Sequence, residues 1–325
     1  MIRILSICAM LLGAAAPARA AIEIIEVTSP GGITAWVTED DTIPIVAIEA
    51  SFRGGAVLEP EGQAGVTNLM VALLGEGTGE RDATAFAEAR ETLAARFGFH
   101  AGRDGVGVSA QVLRENLDPA MELLRDALVE PRFDEGDLAR LRAQMLARLR
   151  AQETDPGAIS SRAFYELAFP GHPYATPVDG TLESVAAIDA DAIRAAHRNA
   201  LVRERLMVSV AGDITAEEVG PMLDRLFGDL PAAAPEDAPD LPEVADPALA
   251  GGVTVIDLDN PQSMVVFGHA GLPRDDPDFI AAHVMNHILG GGGFGSRLTE
   301  ELRERVAVVE RLLALDPPEI GVCIG

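Results

Sequence analysis

The chain has 325 residues, with 51 acidic against 25 basic side chains and a formal net charge of −26. This acidity argues against nucleic acid and against anionic membrane surfaces as partners, and suits a soluble protein or one that attracts basic peptides. Every basic residue is Arg and no Lys occurs, which excludes a Schiff-base lysine, a Ser-Lys dyad and a phosphate-loop lysine.

The chain opens with Arg3, an apolar run from Ile4 to Ala16, and the small-x-small triplet Ala18-Arg19-Ala20. That pattern is a secretory signal peptide, residues 1–20, cleaved after Ala20, too short and wrongly flanked for a membrane anchor. It predicts a periplasmic or secreted protein. Cys8 leaves with the signal and Cys323 stands alone near the end, so neither an internal disulfide nor a Cys-based metal cluster is expected.

From Ile22 to Trp36 the pattern reads as a hairpin turning at Ser29-Pro30-Gly31-Gly32, and Ile43 to Phe52 reads as a strand. Val66 to Leu74 is an apolar helix ended by Gly75-Glu76-Gly77, and Ala83 to Phe97 an amphipathic helix. A strand at Ser109–Leu113 and a helix at Pro119–Leu128 follow. A long Arg-rich helix runs from Asp137 to Gln152, with Leu138, Leu141, Met145, Leu146 and Leu149 at helical spacing. Further helices are predicted at Ala158–Phe169, Asp191–Arg203 and Glu217–Phe227, and a strand at Leu206–Val210.

Residues 231–250 are rich in Pro, Ala and acids and read as a linker. The pattern then restarts, with strands at Val253–Leu258 and Ser263–His269, a helix from Pro277 to Leu289, four glycines at 290–293, and a helix from Ser296 to Arg305. The order strand, Gly-containing loop, apolar helix, glycines occurs in both halves. The expected fold is therefore α+β with duplicated domains, residues 21–230 and a shorter, truncated copy at 251–325.

Several short stretches, taken in order, resemble the M16 peptidases, the family of insulin-degrading enzymes and mitochondrial processing peptidases. They include Phe52-Arg53-Gly54-Gly55, Gly65-Val66-Thr67-Asn68-Leu69, Gly77-Thr78, His172-Pro173-Tyr174, Gly180-Thr181, Ala211-Gly212-Asp213, Asn286-His287-Ile288-Leu289-Gly290-Gly291-Gly292 and Ser296-Arg297-Leu298. The resemblance runs from about Ile24 to Arg305 and implies α/β-sandwich domains of the M16 type.

The family's zinc site is a His-x-x-Glu-His on the first apolar helix and a Glu on the later long helix. Two His one turn apart grip a metal from one face, and the Glu between them activates water. Registered on Gly65 and Gly77-Thr78, those three positions are Asn68, Val71 and Ala72; registered on Asp155-Pro156, the fourth is Arg148. Val and Ala have no ligand atoms, Asn offers a weak amide oxygen, and Arg brings a permanent positive charge. No catalytic residue, metal or other cofactor is expected.

The resemblance implies a non-catalytic, chamber-forming subunit of a two-component zinc peptidase, partnered by a zinc-bearing paralogue and by extended peptides. A stand-alone peptide-binding or scaffold protein and a non-functional fragment are the alternatives. The family also places an Arg and a Tyr of the second domain near bound substrate. Arg303 matches the first and Glu310 replaces the second.

Other polar clusters have plainer readings. His283 and His287 share zinc-ligand spacing, but Val284 and Asn286 break the zincin pattern, and a structural pair is expected. His172 reads as a loop residue, Gly290 to Gly293 as a close backbone approach or a binding edge, and Asp275-Asp276-Asp278 as a solvated helix start.

Overall fold

The computed structural model describes residues 23–243, 245–248, 251–259 and 263–304. Residues 1–20, expected to be a signal peptide, Glu310 and Cys323 lie outside these described residues.

The body of the chain is a six-stranded sheet in the order β1-β2-β8-β3-β7-β6. Its strands are β1 (Ile25–Thr28), β2 (Thr34–Glu39), β3 (Ile45–Arg53), β6 (Arg96–Ala101), β7 (Gly105–Leu113) and β8 (Leu206–Gly212). Two-residue strands β4 (Gly77–Thr78) and β5 (Arg81–Asp82) form a separate small hairpin. All pairs of the large sheet are antiparallel except β2 with β8. The hairpin expected around Ser29–Gly32 is the β1–β2 pair.

Strand alternation sets the layers. Val46, Ile48, Ala50 and Phe52 of β3 are buried, as are Val106, Val108, Ala110 and Val112 of β7, because a pleated strand sends alternate side chains to one face. That face is covered by helices α1 (Val66–Leu73), α3 (Leu117–Val129) and α8 (Ala216–Phe227). The Phe52 and Phe227 rings meet edge-on at 6.3 Å between centroids, joining the sheet to α8.

The other helices are α2 (Ala83–Thr92), α4 (Glu135–Gln152), α5 (Pro156–Ala168), α6 (Leu182–Ala187), α7 (Ala190–Ala200) and α9 (Phe279–Asn286). Two of them, α2 and α5, start at an Asp cap: Asp82 accepts from the Ala85 amide at 2.9 Å and Asp155 from the Ala158 amide at 2.7 Å. None of the described helices is long and apolar enough to cross a membrane.

Two expectations are corrected. The helix expected over Ala83–Phe97 stops at Thr92, and Arg96–Ala101 is the edge strand β6. Ala94 has φ 48°, a left-handed conformation that ends the helix. Beyond it Phe97 and Phe99 alternate at strand spacing, both packed against the small cluster of Phe86, Leu123 and Ala127.

The strands expected at Val253–Leu258 and Ser263–His269 do not form. Val253, Val255, Ile256, Met264, Val265 and Phe267 are all exposed. An alternating β-branched pattern needs a neighbouring ladder to satisfy its backbone and bury its apolar side, and the described residues offer neither segment one. The helix expected at Pro277–Leu289 is α9, extended by a wide turn over His287–Gly291.

Candidate functional site

The positions read as Asn68, Val71, Ala72 and Arg148 lie on two helices that pack together, α1 and α4. The start of α1 is fixed from two sides. Glu59 accepts from the Gly65 amide at 2.9 Å and from the Thr67 amide at 2.8 Å, satisfying donors that a helix N-terminus leaves free. Burial still pushes its carboxyl up to about 7 despite these two hydrogen bonds. On the other side Ser184, in the capping box of α6, donates to the Ala64 carbonyl at 2.7 Å.

That second contact brings the loop before α6 against α1 and delivers Asp179. The Asn68 amide donates to Asp179 Oδ1 at 2.6 Å. The Arg148 guanidinium donates to the same oxygen at 3.2 Å, and Gln152 donates to Asp179 Oδ2 at 3.2 Å. Arg148 and Gln152 are four apart on α4 and so face the same way. One carboxylate thus joins α1, α4 and the loop.

Val71 is buried in the core and Ala72 is exposed. Neither carries a group that could bind a metal or move a proton. The four positions therefore do not fit a divalent cation: two lack ligand atoms, Asn68 offers only a weak amide oxygen, and the fourth is a guanidinium. The structure brings Asn68 and Arg148 to one carboxylate. Sequence reasoning named both and missed Asp179 and Gln152. The i, i+4 spacing of Arg148 and Gln152 was the available signal.

A second cluster lies around the β6–β7 turn. Tyr174 donates to Asp104 at 2.6 Å, and the Arg103 guanidinium sits 3.7 Å over the Tyr165 ring. Burial, then the bond to Asp104, pushes the Tyr174 phenol up to about 12. His172 accepts from the Tyr174 amide through Nδ1 at 3.2 Å, so its Nε2–H donates to the Glu243 carbonyl at 3.1 Å. His172 is a loop fastener, as expected. The stretch read as a linker is held down here, and again where the Ala248 amide donates to the Ala168 carbonyl at 2.6 Å.

The remaining candidates gather no chemistry. His197 donates from Nε2 to the Leu128 carbonyl at 2.8 Å, and burial lowers its pKa. His283 and His287 are exposed. Among the described residues no three His, Cys, Asp or Glu converge as a metal site. Asp276 accepts from the Asp278 amide at 2.8 Å, a local turn. Arg303 lies in the helical turn Thr299–Glu304.

Residues 35–182 match the insulinase (peptidase M16) domain, and residues 187–310 match the peptidase M16 inactive domain. The chain belongs to the M16 peptidase family. A solved structure described as the peptidase M16 inactive domain from Pseudomonas fluorescens is similar to it with a TM-score of 0.74 and 27% identity, over 87% of this chain and 68% of that one. The non-peptidase homolog YmxG of Helicobacter pylori is 29% identical over 266 residues, 82% of this chain and 60% of that protein. An uncharacterized zinc protease of Streptomyces coelicolor is 30% identical over 285 residues, 86% of this chain and 61% of that protein. This M16 chain thus spans about three-fifths of the length of these two relatives. Their names point in opposite directions, so the residues at positions 68, 71, 72 and 148 carry the argument about chemistry.

Proposed function

We propose that this chain is a non-catalytic M16 subunit that works in the periplasm beside a zinc-bearing paralogue and helps to form its substrate chamber. The observation that carries this reading is the set Asn68, Val71, Ala72 and Arg148, which holds no general base and no metal-binding side chain. The similarity to a protein named as a non-peptidase homologue and to a structure described as an inactive domain supports it. So does β6, an edge strand whose outer side pairs with no strand among the described residues and could take an extended peptide.

The test is a reconstitution. The purified chain, its paralogue carrying His-x-x-Glu-His, and the mixture are each assayed for zinc content and for cleavage of unfolded peptides. The expected result is co-purification, with zinc on the paralogue alone and full cleavage only in the mixture. Stoichiometric zinc on the isolated chain, or cleavage by it, would overturn the reading. Peptide binding by the isolated chain with no effect on the paralogue would favour a stand-alone binding protein instead.

A further inference from the structure

Asp179 has an arrangement that the proposed subunit role does not require. It stands next to Gly180, whose φ of +77° and close fit against Ala64 leave the loop little freedom. Its carboxylate therefore sits where both Asn68 on α1 and Arg148 on α4 reach one oxygen, while Gln152 takes the other. Across the place where a dication would be expected there is instead a complete set of opposite charges and hydrogen bonds supplied by the chain itself.

Resting on the register used for the proposed function, we infer that Asp179, Arg148, Asn68 and Gln152 form an ionic clasp. It holds α1 to α4 and closes the position to divalent metal. The guanidinium supplies the positive charge at that point, and the carboxylate that could have become a ligand is engaged by three donors. A cation entering there meets Arg148 at close range and finds the Asp179 carboxylate already engaged. The side chains of the pair are 53% and 34% exposed. The ion pair is consequently screened by salt, and so is the repulsion of an incoming cation, which acts mainly at contact range.

Two sets of full-length variants test this. In the first, zinc chloride is titrated against a competing chelator for a triple graft (Asn68→His, Val71→Glu, Ala72→His), for the same graft with Arg148→Gln added, and for the same graft with Arg148→Glu added. The triple graft is expected to bind zinc at least about tenfold more weakly than the graft carrying Arg148→Gln, which removes the guanidinium without adding a carboxylate ligand. Equal affinity would overturn the clasp and leave the subunit reading standing. A folded graft carrying Arg148→Glu that takes no zinc would instead remove the register on which both rest.

The second set needs no graft to fold. Asp179→Asn, Arg148→Gln and their combination are melted at low and high salt. Each single variant is expected to lower the melting temperature by a few degrees, the double variant no further than the worse single, and high salt to shrink the differences. Additive losses, or no loss at all, would sink the inference.

Discussion

Gly180 lies against the carbonyl of Ala64 so closely that a Cβ placed on it would fall 2.3 Å from that oxygen. The contact fixes the Asp179 loop to the start of α1, and it combines a positive φ with a backbone neighbour that cannot step aside. Gly180→Ala is expected to destabilise the fold by about 2–4 kcal/mol, strain and clash together. Chemical denaturation reads this directly; a loss below about 0.5 kcal/mol would mean that the loop is free to retreat.

Glu59 makes stability depend on pH. Its folded pKa is raised to about 7, so the fold favours the protonated carboxyl relative to the unfolded chain. The contribution is fully present below the ordinary Glu value and falls away as pH rises through about 7. Its size is on the order of 1–3 kcal/mol. Glu59→Gln should flatten the stability profile between about pH 4.5 and 7. It should also cost about 1 kcal/mol at low pH, because an amide accepts from only one of the two backbone donors with its oxygen. An unchanged slope in urea melts across that range would contradict the assignment.

Tyr174→Phe keeps the ring packed against Phe169 and His172 but removes the donor to Asp104. The expected cost is about 1 kcal/mol in equilibrium unfolding, the worth of a hydrogen bond to a charged, partly exposed acceptor. Asp104→Asn should cost less, since an amide oxygen still accepts.

His172→Ala removes the fastener between the loop and the Glu243 carbonyl. Limited proteolysis should then cut the variant between residues 231 and 250 faster than the parent chain, by at least severalfold, with little change in global melting. Equal cutting rates would show that the other bonds to this stretch, from the Arg203 and Glu204 amides to the Pro231 and Ala232 carbonyls and from the Ala248 amide to Ala168, secure it without His172.

Most of the fold was legible where a periodic apolar pattern met a capping or turn signal, as at Val66–Leu73 and Glu135–Gln152. It was illegible where tertiary context decided. Strand β6 hides in Arg-Phe-Gly-Phe-His-Ala, which follows directly on a helical pattern that breaks where Ala94 turns left-handed. Val253–Leu258 reads as a strand because pattern alone cannot say whether a partner strand stands beside it. At the site, Asn68 and Arg148 were found by register, but Asp179 lies 111 residues from Asn68. No local periodicity links them; only the packing of the loop before α6 against α1 brings them together.

The strand order has a consequence for how such a chain is made and cut. β8 sits between β2 and β3, so the interior of the sheet is completed by the strand synthesised last. Before a ribosome has delivered Gly212, the first hairpin and the three strands β3, β7 and β6 can exist only as separate ribbons with a gap between them. A truncation placed between the two family matches, near residue 185, would leave that gap unfilled in any vessel, whatever the quality of the remaining helices.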